Sequence, residues 1–329
     1  NRRPDSAQPA AAISKAATNV RIDRFMAACP ERDARRGPSR PVWRRGATII
    51  VCTISTASAF LPLPAIRTTG MFSADDYAQM RAFFADHPAL APTPLRDLTD
   101  LARELGIGHL WAKDESVRFG LNAFKLLGAR FTVQALLDEG HISAGATVVC
   151  ASEGNHGRAV ARAARHAGCG ARVSMAHDAA PSRVAAIAGE GAEVVTVDGS
   201  YDDAVRIMQA EAEAQGWTIV SDTAWPGYER IPRLIMLGYT RMLDEVREQG
   251  ADFDFLFVQG GVGGLLCAMA SWCAFHRRDR PPRVISVEPT TAACLQASAR
   301  AGTPIVVSGP LNTTMAGLRN REVSPPAFT

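Results

Sequence analysis

The chain lacks the cysteine pairs that mark disulfide scaffolds and zinc knuckles. Its seven cysteines are scattered, odd in number, and never form a C-x-x-C pair, whereas both classes need closely spaced pairs. We therefore expect buried, reduced thiols, no metal site and a cytoplasmic location.

Beyond the first 59 residues the chain also lacks a strong excess of either positive or negative residues. The first 59 residues carry 11 Lys and Arg against 4 Asp and Glu, whereas the rest of the chain carries 25 against 29. A mildly acidic body gives no support to nucleic-acid binding. With 329 residues, of which 21% are charged and 47% hydrophobic, the composition indicates a soluble globular protein of about two lobes. It excludes a disordered chain and a polytopic membrane protein.

Residues 1–68 differ from the rest of the chain. The stretch up to Arg45 is rich in Arg, Ala, Ser and Pro, and an apolar run over 47–66 follows it. The basic flank and apolar run imitate a secretory signal, but about 45 residues precede the run. Its Ser and Thr residues make it too polar for a membrane span. We expect residues 1–68 to form a poorly ordered N-terminal extension.

From Met71 onward, β-rich runs alternate with amphipathic helical patterns. Ser73, followed by Asp75 and Asp76, predicts a helix start. Strands are predicted over 109–113, 147–151, 172–175, 193–197, 218–220, 255–258 and 284–287, and helices over 122–139, 157–167, 201–215, 231–248 and 264–276. This alternation predicts an α/β fold with parallel twisted sheets covered by helices on both faces.

The first segment that could carry chemistry surrounds Lys125. Phe124, Leu126 and Leu127 flank it directly, although a helical lysine is more often a solvated surface residue. Because burial disfavours the charged ammonium, we expect a lowered pKa and a neutral amine that can attack a carbonyl. Asn122, just ahead, suits a helix N-cap.

Two further segments follow predicted strands. Residues 152–157 read SEGNHG, and small residues at a strand-to-helix turn let a ligand approach the backbone near a helix N-terminus. Asp222 stands at the carboxyl end of a strand, where open α/β sheets place their ligand crevice. The alternatives are a tight turn capped by Asn155, a capping or turn role for Asp222, and a structural His156.

Four glycines in the segment 258–265, VQGGVGGL, follow an apolar strand and precede a helix. Backbone N–H groups in such a loop can surround a phosphate. The dinucleotide fingerprint would need Gly or Ala where Leu266 stands, and the Walker loop needs a lysine that is absent. We expect a cradle for one phosphate, with a plain tight turn as the alternative. A desolvated lysine, this cradle and nearby acids together describe a site for pyridoxal 5′-phosphate (PLP).

The order of these motifs resembles the fold type II, tryptophan synthase β-like family of PLP-dependent enzymes. The segments RFGLNAFK (118–125), DTAW (222–225) and TMAGL (314–318) are similar to the diaminopropionate ammonia-lyases within it. The resemblance, which covers about residues 71–318, implies a two-lobed homodimeric enzyme. Its large PLP-binding lobe would comprise 69–127 and 236–329, and its small lobe 128–235.

The resemblance implies α,β-elimination of ammonia from 2,3-diaminopropionate, a small amino-acid substrate, giving pyruvate and a second ammonia. Lys125 would hold PLP and act as the base on one face of Cα, and an acid from the SEGNHG or DTAW segment would serve the other. The candidates for that acid are Glu153 and Asp222. The resemblance further implies that Asn155 binds the ring hydroxyl and that the phosphate is held by Gly260, Gly261, Val262, Gly263 and Gly264.

Two departures from the family pattern keep alternatives open. Glu153 stands where the ammonia-lyases have Asp, and a carboxylate misplaced by about 1 Å can cost roughly 100-fold in rate. The chain also stops at Thr329, where the family continues, so we expect a truncated large lobe without the partner of the pyridine nitrogen. The alternatives are a serine/threonine dehydratase-like PLP lyase and a catalytically inactive truncated fragment.

Overall fold

The computed structural model describes residues 48–51, 70–152 and 154–328. The described strands are β1 (Thr48–Val51), β2 (Leu95–Asp97), β3 (His109–Lys113), β4 (Thr147–Ala151), β5 (Gly170–Ala176), β6 (Glu193–Val197), β7 (Thr218–Ile219), β8 (Phe255–Gln259) and β9 (Arg283–Val287). The described helices are α1 (Ala74–Ala85), α2 (Thr99–Leu105), α3 (Lys125–Asp138), α4 (Asn155–His166), α5 (Pro181–Ala188), α6 (Tyr201–Gln215), α7 (Arg230–Tyr239), α8 (Arg241–Glu248), α9 (Gly264–His276) and α10 (Cys294–Ala301).

The strands form two sheets. The first sheet has the order β2–β3–β1–β8–β9 and is parallel except for β2, which pairs antiparallel with β3. The second sheet, β6–β5–β4–β7, is parallel throughout and comes entirely from residues 147–219. The predicted α/β class is confirmed. The second sheet falls within the predicted small lobe, 128–235, whereas the first sheet includes β1 from outside the predicted large lobe. The lobe boundaries stay a prediction.

Strand β1 lies in the segment for which we expected a poorly ordered extension. Its Ile50 is opposite Trp111 of β3 on one side and Leu256 of β8 on the other, so β1 is central to the first sheet. The sequence of β1, Thr-Ile-Ile-Val, consists of β-branched residues, which favour strands. The expectation therefore does not hold for Thr48–Val51, and the rest of 1–68 lies outside the described residues.

Two helix boundaries show how local chemistry sets the elements. Ser73 caps α1 as predicted: its Oγ accepts from the Asp76 amide, and the Asp76 carboxylate accepts from the Ser73 amide. The helix predicted over 231–248 is instead two helices. They meet at Thr240, whose Oγ1 donates to the Leu237 carbonyl at 2.6 Å, and such local hydrogen bonding by threonine disturbs a helix.

The core is continuous between the sheets through helices α3, α4 and α7. Leu126 and Leu127 of α3, Val160 of α4, and Ile235 and Leu237 of α7 are buried in one cluster. Among the described residues, no helix is both long and apolar enough to span a bilayer. The core thus fixes the relative positions of three helices, and two of them begin at residues that the sequence assigned to a site.

Candidate active site

A buried ion cluster anchors the segment that leads to Lys125. Arg118 is fully buried; its Nη2 lies 2.6 Å from Glu115 Oε1, and its Nη1 lies 2.7 Å from Glu245 Oε1. Lys113 Nζ lies 2.7 Å from the other oxygen of Glu245. Arg241 Nε also lies 3.7 Å from Glu245 Oε1, so every charge of the cluster has an opposite partner, as buried charges require. These ion pairs therefore hold in place the backbone that leads to Lys125.

The residues between this cluster and Lys125 follow an irregular path. Phe119 and Asn122 have φ angles of 48° and 59°. Two arginines of α4 clamp the path: Arg162 Nη1 donates to the Phe119 carbonyl at 2.6 Å, and Arg158 Nη1 donates to that of Leu121 at 3.1 Å. The backbone of Asn122 is in the left-handed region, which asparagine tolerates. The residue at the N-cap position of α3 is Phe124. The predicted N-cap at Asn122 is wrong.

Lys125 is the first residue of α3, and its Nζ forms an ion pair with Asp222 Oδ2. The two side chains are 25% and 19% exposed, so the pair is partly shielded from water. Burial lowers the pKa of Lys125, but the Asp222 carboxylate more than offsets it and holds that pKa above its ordinary value. The expected lowering is wrong, because the sequence does not show a carboxylate that comes 97 residues later.

Asp222 also faces His156, which the sequence left as an ambiguous residue. His156 Nε2 donates to the Val220 carbonyl at 2.8 Å, and Nδ1 lies 3.7 Å from Asp222 Oδ2. Burial raises the pKa of Asp222, but His156 and Lys125 outweigh it and keep that pKa below its usual range. Burial lowers the pKa of His156, and Asp222 opposes this only in part. The site therefore places a carboxylate between an amine and an imidazole.

The SEGNHG turn follows β4 and opens α4. Ser152 Oγ accepts hydrogen bonds from the amides of Gly157 at 2.9 Å and Gly154 at 3.3 Å, which fixes the turn. Asn155 is exposed at the first position of the helix. Glu153 lies outside the described residues. The structure thus places Asn155 at a helix N-terminus beside the buried His156.

The glycine loop links β8 to α9. Within the described part of the chain, the amides of Val262, Gly263 and Gly264 donate no hydrogen bond. Gly263 has a φ of 100°, which glycine adopts without strain. A Cβ on Gly264 would lie 3.8 Å from the Asp222 carbonyl oxygen. The loop therefore presents, at the start of a helix, amides that no described residue accepts from, and it borders the segment that carries Asp222.

Tyr239 and Ser324 complete the surroundings, and sequence reasoning missed both. Tyr239 ends α7 with its ring centroid 5.6 Å from Lys125 Nζ. Ser324 is fully buried; its amide donates to the Val262 carbonyl at 2.8 Å, and its Oγ accepts from the Ala224 amide at 3.1 Å. A tyrosine at the end of an apolar helical run is only a weak sign of a site residue, and nothing in the sequence around Ser324 marks it as one.

The amine of Lys125 and the amides of the glycine loop fit a ligand that has one carbonyl and one phosphate. A primary amine that a base can deprotonate attacks a carbonyl, and free amides at a helix N-terminus bind a phosphate. Lys125, Asp222 and His156 supply the first property, and the glycine loop supplies the second. The predicted segments therefore occur together, apart from Glu153, which the structure does not describe.

Known proteins are similar to this chain in sequence and in fold. Residues 87–329 match the family described as pyridoxal-phosphate dependent enzyme. The chain is 36% identical over 277 residues to the diaminopropionate ammonia-lyase of Escherichia coli strain K12, covering 78% of this chain and 70% of the relative. A crystal structure of holo diaminopropionate ammonia lyase from E. coli matches with a TM-score of 0.72, covering 80% of this chain and 70% of that one. An L-threonine dehydratase of Haemophilus influenzae is 30% identical over 66% of this chain and 40% of its own length.

Proposed function

Because the chain belongs to the pyridoxal-phosphate dependent enzyme family, we propose that it is a lyase that eliminates ammonia from 2,3-diaminopropionate. The family, fold type and cofactor expected from the motifs are confirmed by the match over residues 87–329 and by the relatives. The observation that carries the proposal is the ion pair between Lys125 and Asp222 beside a glycine loop in which three amides have no acceptor among the described residues. The substrate is a small amino acid.

PLP, when bound, draws electrons from the Cα of an attached amino acid, so that the Cα proton and a β-substituent can leave. Lys125 would hold it through Nζ, and the loop Gly260, Gly261, Val262, Gly263 and Gly264 would hold its phosphate. Asn155 is the proposed partner of its ring hydroxyl. The amides of Val262, Gly263 and Gly264 fit this role because they have no acceptor among the described residues, whereas the Gly260 amide donates to the Val287 carbonyl at 2.8 Å.

The chain's own groups must first move a proton. The Lys125 ammonium cannot attack a carbonyl until it is deprotonated. Asp222 Oδ2 is in contact with Nζ and is the acceptor at hand, while His156 Nδ1, 3.7 Å away, can take the proton onward. The freed Lys125 amine is then the base on one face of Cα. Asp222 or Glu153 serves the other face.

Titration of the purified chain with PLP tests the proposed attachment site. The sequence has three lysines, Lys15, Lys113 and Lys125. We expect a saturable visible band, its loss on borohydride reduction, and the label in the tryptic peptide 119–130. Lys125→Ala should abolish the band, and Lys15→Ala is the matched control. A folded wild-type chain without a band, or a label outside that peptide, contradicts the proposed site.

Product formation separates the two lyase functions. We expect pyruvate from 2,3-diaminopropionate to form faster than 2-oxobutyrate from threonine. The dehydratase alternative has its support in the 30% identity to an L-threonine dehydratase, and faster turnover of threonine would establish it instead. A chain that binds PLP and turns over neither substrate would be catalytically inactive, which contradicts both lyase functions.

We propose further that the protein works as a homodimer in the cytoplasm. The family resemblance of the motifs supports the homodimer, and the scattered, unpaired cysteines support the cytoplasmic location. Sedimentation of the PLP-loaded chain at several concentrations tests the first, with a monomer at all concentrations as the contrary result. Cell fractionation tests the second, and recovery in a membrane or secreted fraction contradicts it.

A further inference from the structure

Helices α3 and α7 cross with their backbones in contact. A Cβ on Gly128 would lie 2.6 Å from the Ile235 carbonyl oxygen, and one on Gly238 would lie 2.8 Å from the Cα of Gly128. Only hydrogen fits at either position, because real Cβ contacts are longer than these. The crossing therefore fixes the distance between Lys125, at the start of α3, and Tyr239, at the end of α7.

Tyr239 presents a buried hydroxyl to this junction. Its side chain is 1% exposed, and its ring packs edge-on against Phe124 with centroids 4.9 Å apart. The hydroxyl forms no well-aligned hydrogen bond with any described residue. It is nevertheless close enough to the Lys125 ammonium to interact with it electrostatically. Burial raises the pKa of Tyr239, so the group is a neutral phenol. A buried tyrosine hydroxyl normally has a partner.

We propose that Tyr239 is a positioning residue for Lys125, with its hydroxyl serving as the hydrogen-bond partner of Nζ when the ion pair with Asp222 opens. A phenol both donates and accepts, so it can serve the amine in either protonation state. Asp222 from the loop after β7 and Tyr239 from α7 face Nζ, and His156 of α4 stands behind Asp222. The inference rests on the proposed role of Lys125.

The direct test is Tyr239→Phe in the full chain, titrated with PLP. The variant keeps the ring packed against Phe124. Because the Tyr239 hydroxyl forms no well-aligned hydrogen bond, its removal should leave the fold intact. Loss of one hydrogen bond to Nζ should raise the Kd for PLP by about 5- to 10-fold. The visible band of lysine-bound PLP should also shift its pH midpoint down by roughly 0.5 to 1 unit, because the hydroxyl oxygen stabilises the protonated nitrogen.

Tyr77→Phe is the matched control. Tyr77 of α1 is also fully buried, and its hydroxyl likewise has no hydrogen-bond partner within the described residues. Its ring packs against Phe72 and Phe275. This variant should keep the wild-type Kd and the wild-type pH midpoint.

A second readout uses the chain without PLP. Reductive methylation of Lys125, followed in the tryptic peptide 119–130 across pH, reports the basicity of the amine, and its midpoint should fall in Tyr239→Phe alone. Equal Kd and midpoints in Tyr239→Phe and Tyr77→Phe would overturn the inference and leave the proposed function standing. A wild-type chain that attaches no PLP at Lys125 would overturn both.

Discussion

The amide of Ser324 donates a hydrogen bond of 2.8 Å to the carbonyl oxygen of Val262. The same residue accepts from the Ala224 amide through Oγ at 3.1 Å. One buried serine therefore ties the loop proposed for the phosphate to the segment that carries Asp222. Because the two segments belong to different parts of the sequence, this tether sets how far apart the two ends of the cofactor site can be.

Ser324→Ala should loosen that tether. The variant leaves the Ala224 amide buried without its acceptor, which should cost about 1–2 kcal/mol of unfolding free energy and raise the Kd for PLP several-fold. Urea unfolding and PLP titration measure the two effects. Ser298→Ala is the control, since the buried Ser298 Oγ accepts from the Ile305 amide at 2.9 Å in the same way. An equal change of Kd in both variants would speak against the tether.

Asp222→Asn should lower the pKa of Lys125. The carboxylate is what holds that pKa above its ordinary value against burial, so a neutral amide lets burial prevail. We expect PLP binding to persist and turnover to fall by about 100-fold or more, within the range assigned to a positioned acid or base. The pH dependence of methylation in peptide 119–130 and steady-state kinetics are the measurements. Unchanged kinetics would remove Asp222 from the catalytic site.

Gly238→Ala should destabilise the fold through the helix crossing. The new Cβ would lie 2.7 Å from the Leu127 carbonyl oxygen, and overpacking of this kind costs about 1–3 kcal/mol. Gly170→Ala is the control, because its Cβ would meet Thr147 Oγ1 at an ordinary 3.4 Å. Urea unfolding of both variants compares the two costs. A smaller loss for Gly238→Ala than for Gly170→Ala would contradict the described packing.

Glu288 should make stability depend on pH near neutrality. Burial raises the pKa of Glu288 to about 7, although the Leu295 and Gln296 amides donate to it. The ordinary pKa of a glutamate is 4.5. The contribution of the protonated Glu288 carboxyl to the stability of the folded state is therefore complete below pH 4.5 and is lost as the pH rises through 7. Relative to Glu288→Gln, the wild-type chain should lose up to about 3 kcal/mol between pH 5 and pH 8. A difference that stays constant with pH would contradict this.

Much of the fold could be predicted because its strands are short apolar runs with helices between them. Helices α6 and α9 begin and end where their patterns predict. Strand β1 was missed because its residues belong to an apolar run that imitates a signal. Strand β2 has only three residues and follows two prolines, so it carries no pattern of its own.

The chemistry of the site was harder to predict than its location. The apolar neighbours of Lys125 and the position of Asp222 at the end of a strand marked both as site residues, but the sign of the Lys125 pKa shift depends on their contact. Tyr239 reaches Lys125 only because two helices cross at Gly128 and Gly238. Such a contact joins residues distant in sequence and leaves no local periodicity, so sequence alone does not show it.

The central place of β1 in the first sheet has a consequence for biosynthesis. Both neighbours of β1 come later in the chain, β3 at residues 109–113 and β8 at residues 255–259. A nascent chain leaving the ribosome can thus close the second sheet once residue 219 has emerged, while one edge of β1 is still unpaired. Unpaired edges invite association. Slow translation before residue 259 should therefore expose this edge for longer and increase the demand for chaperones.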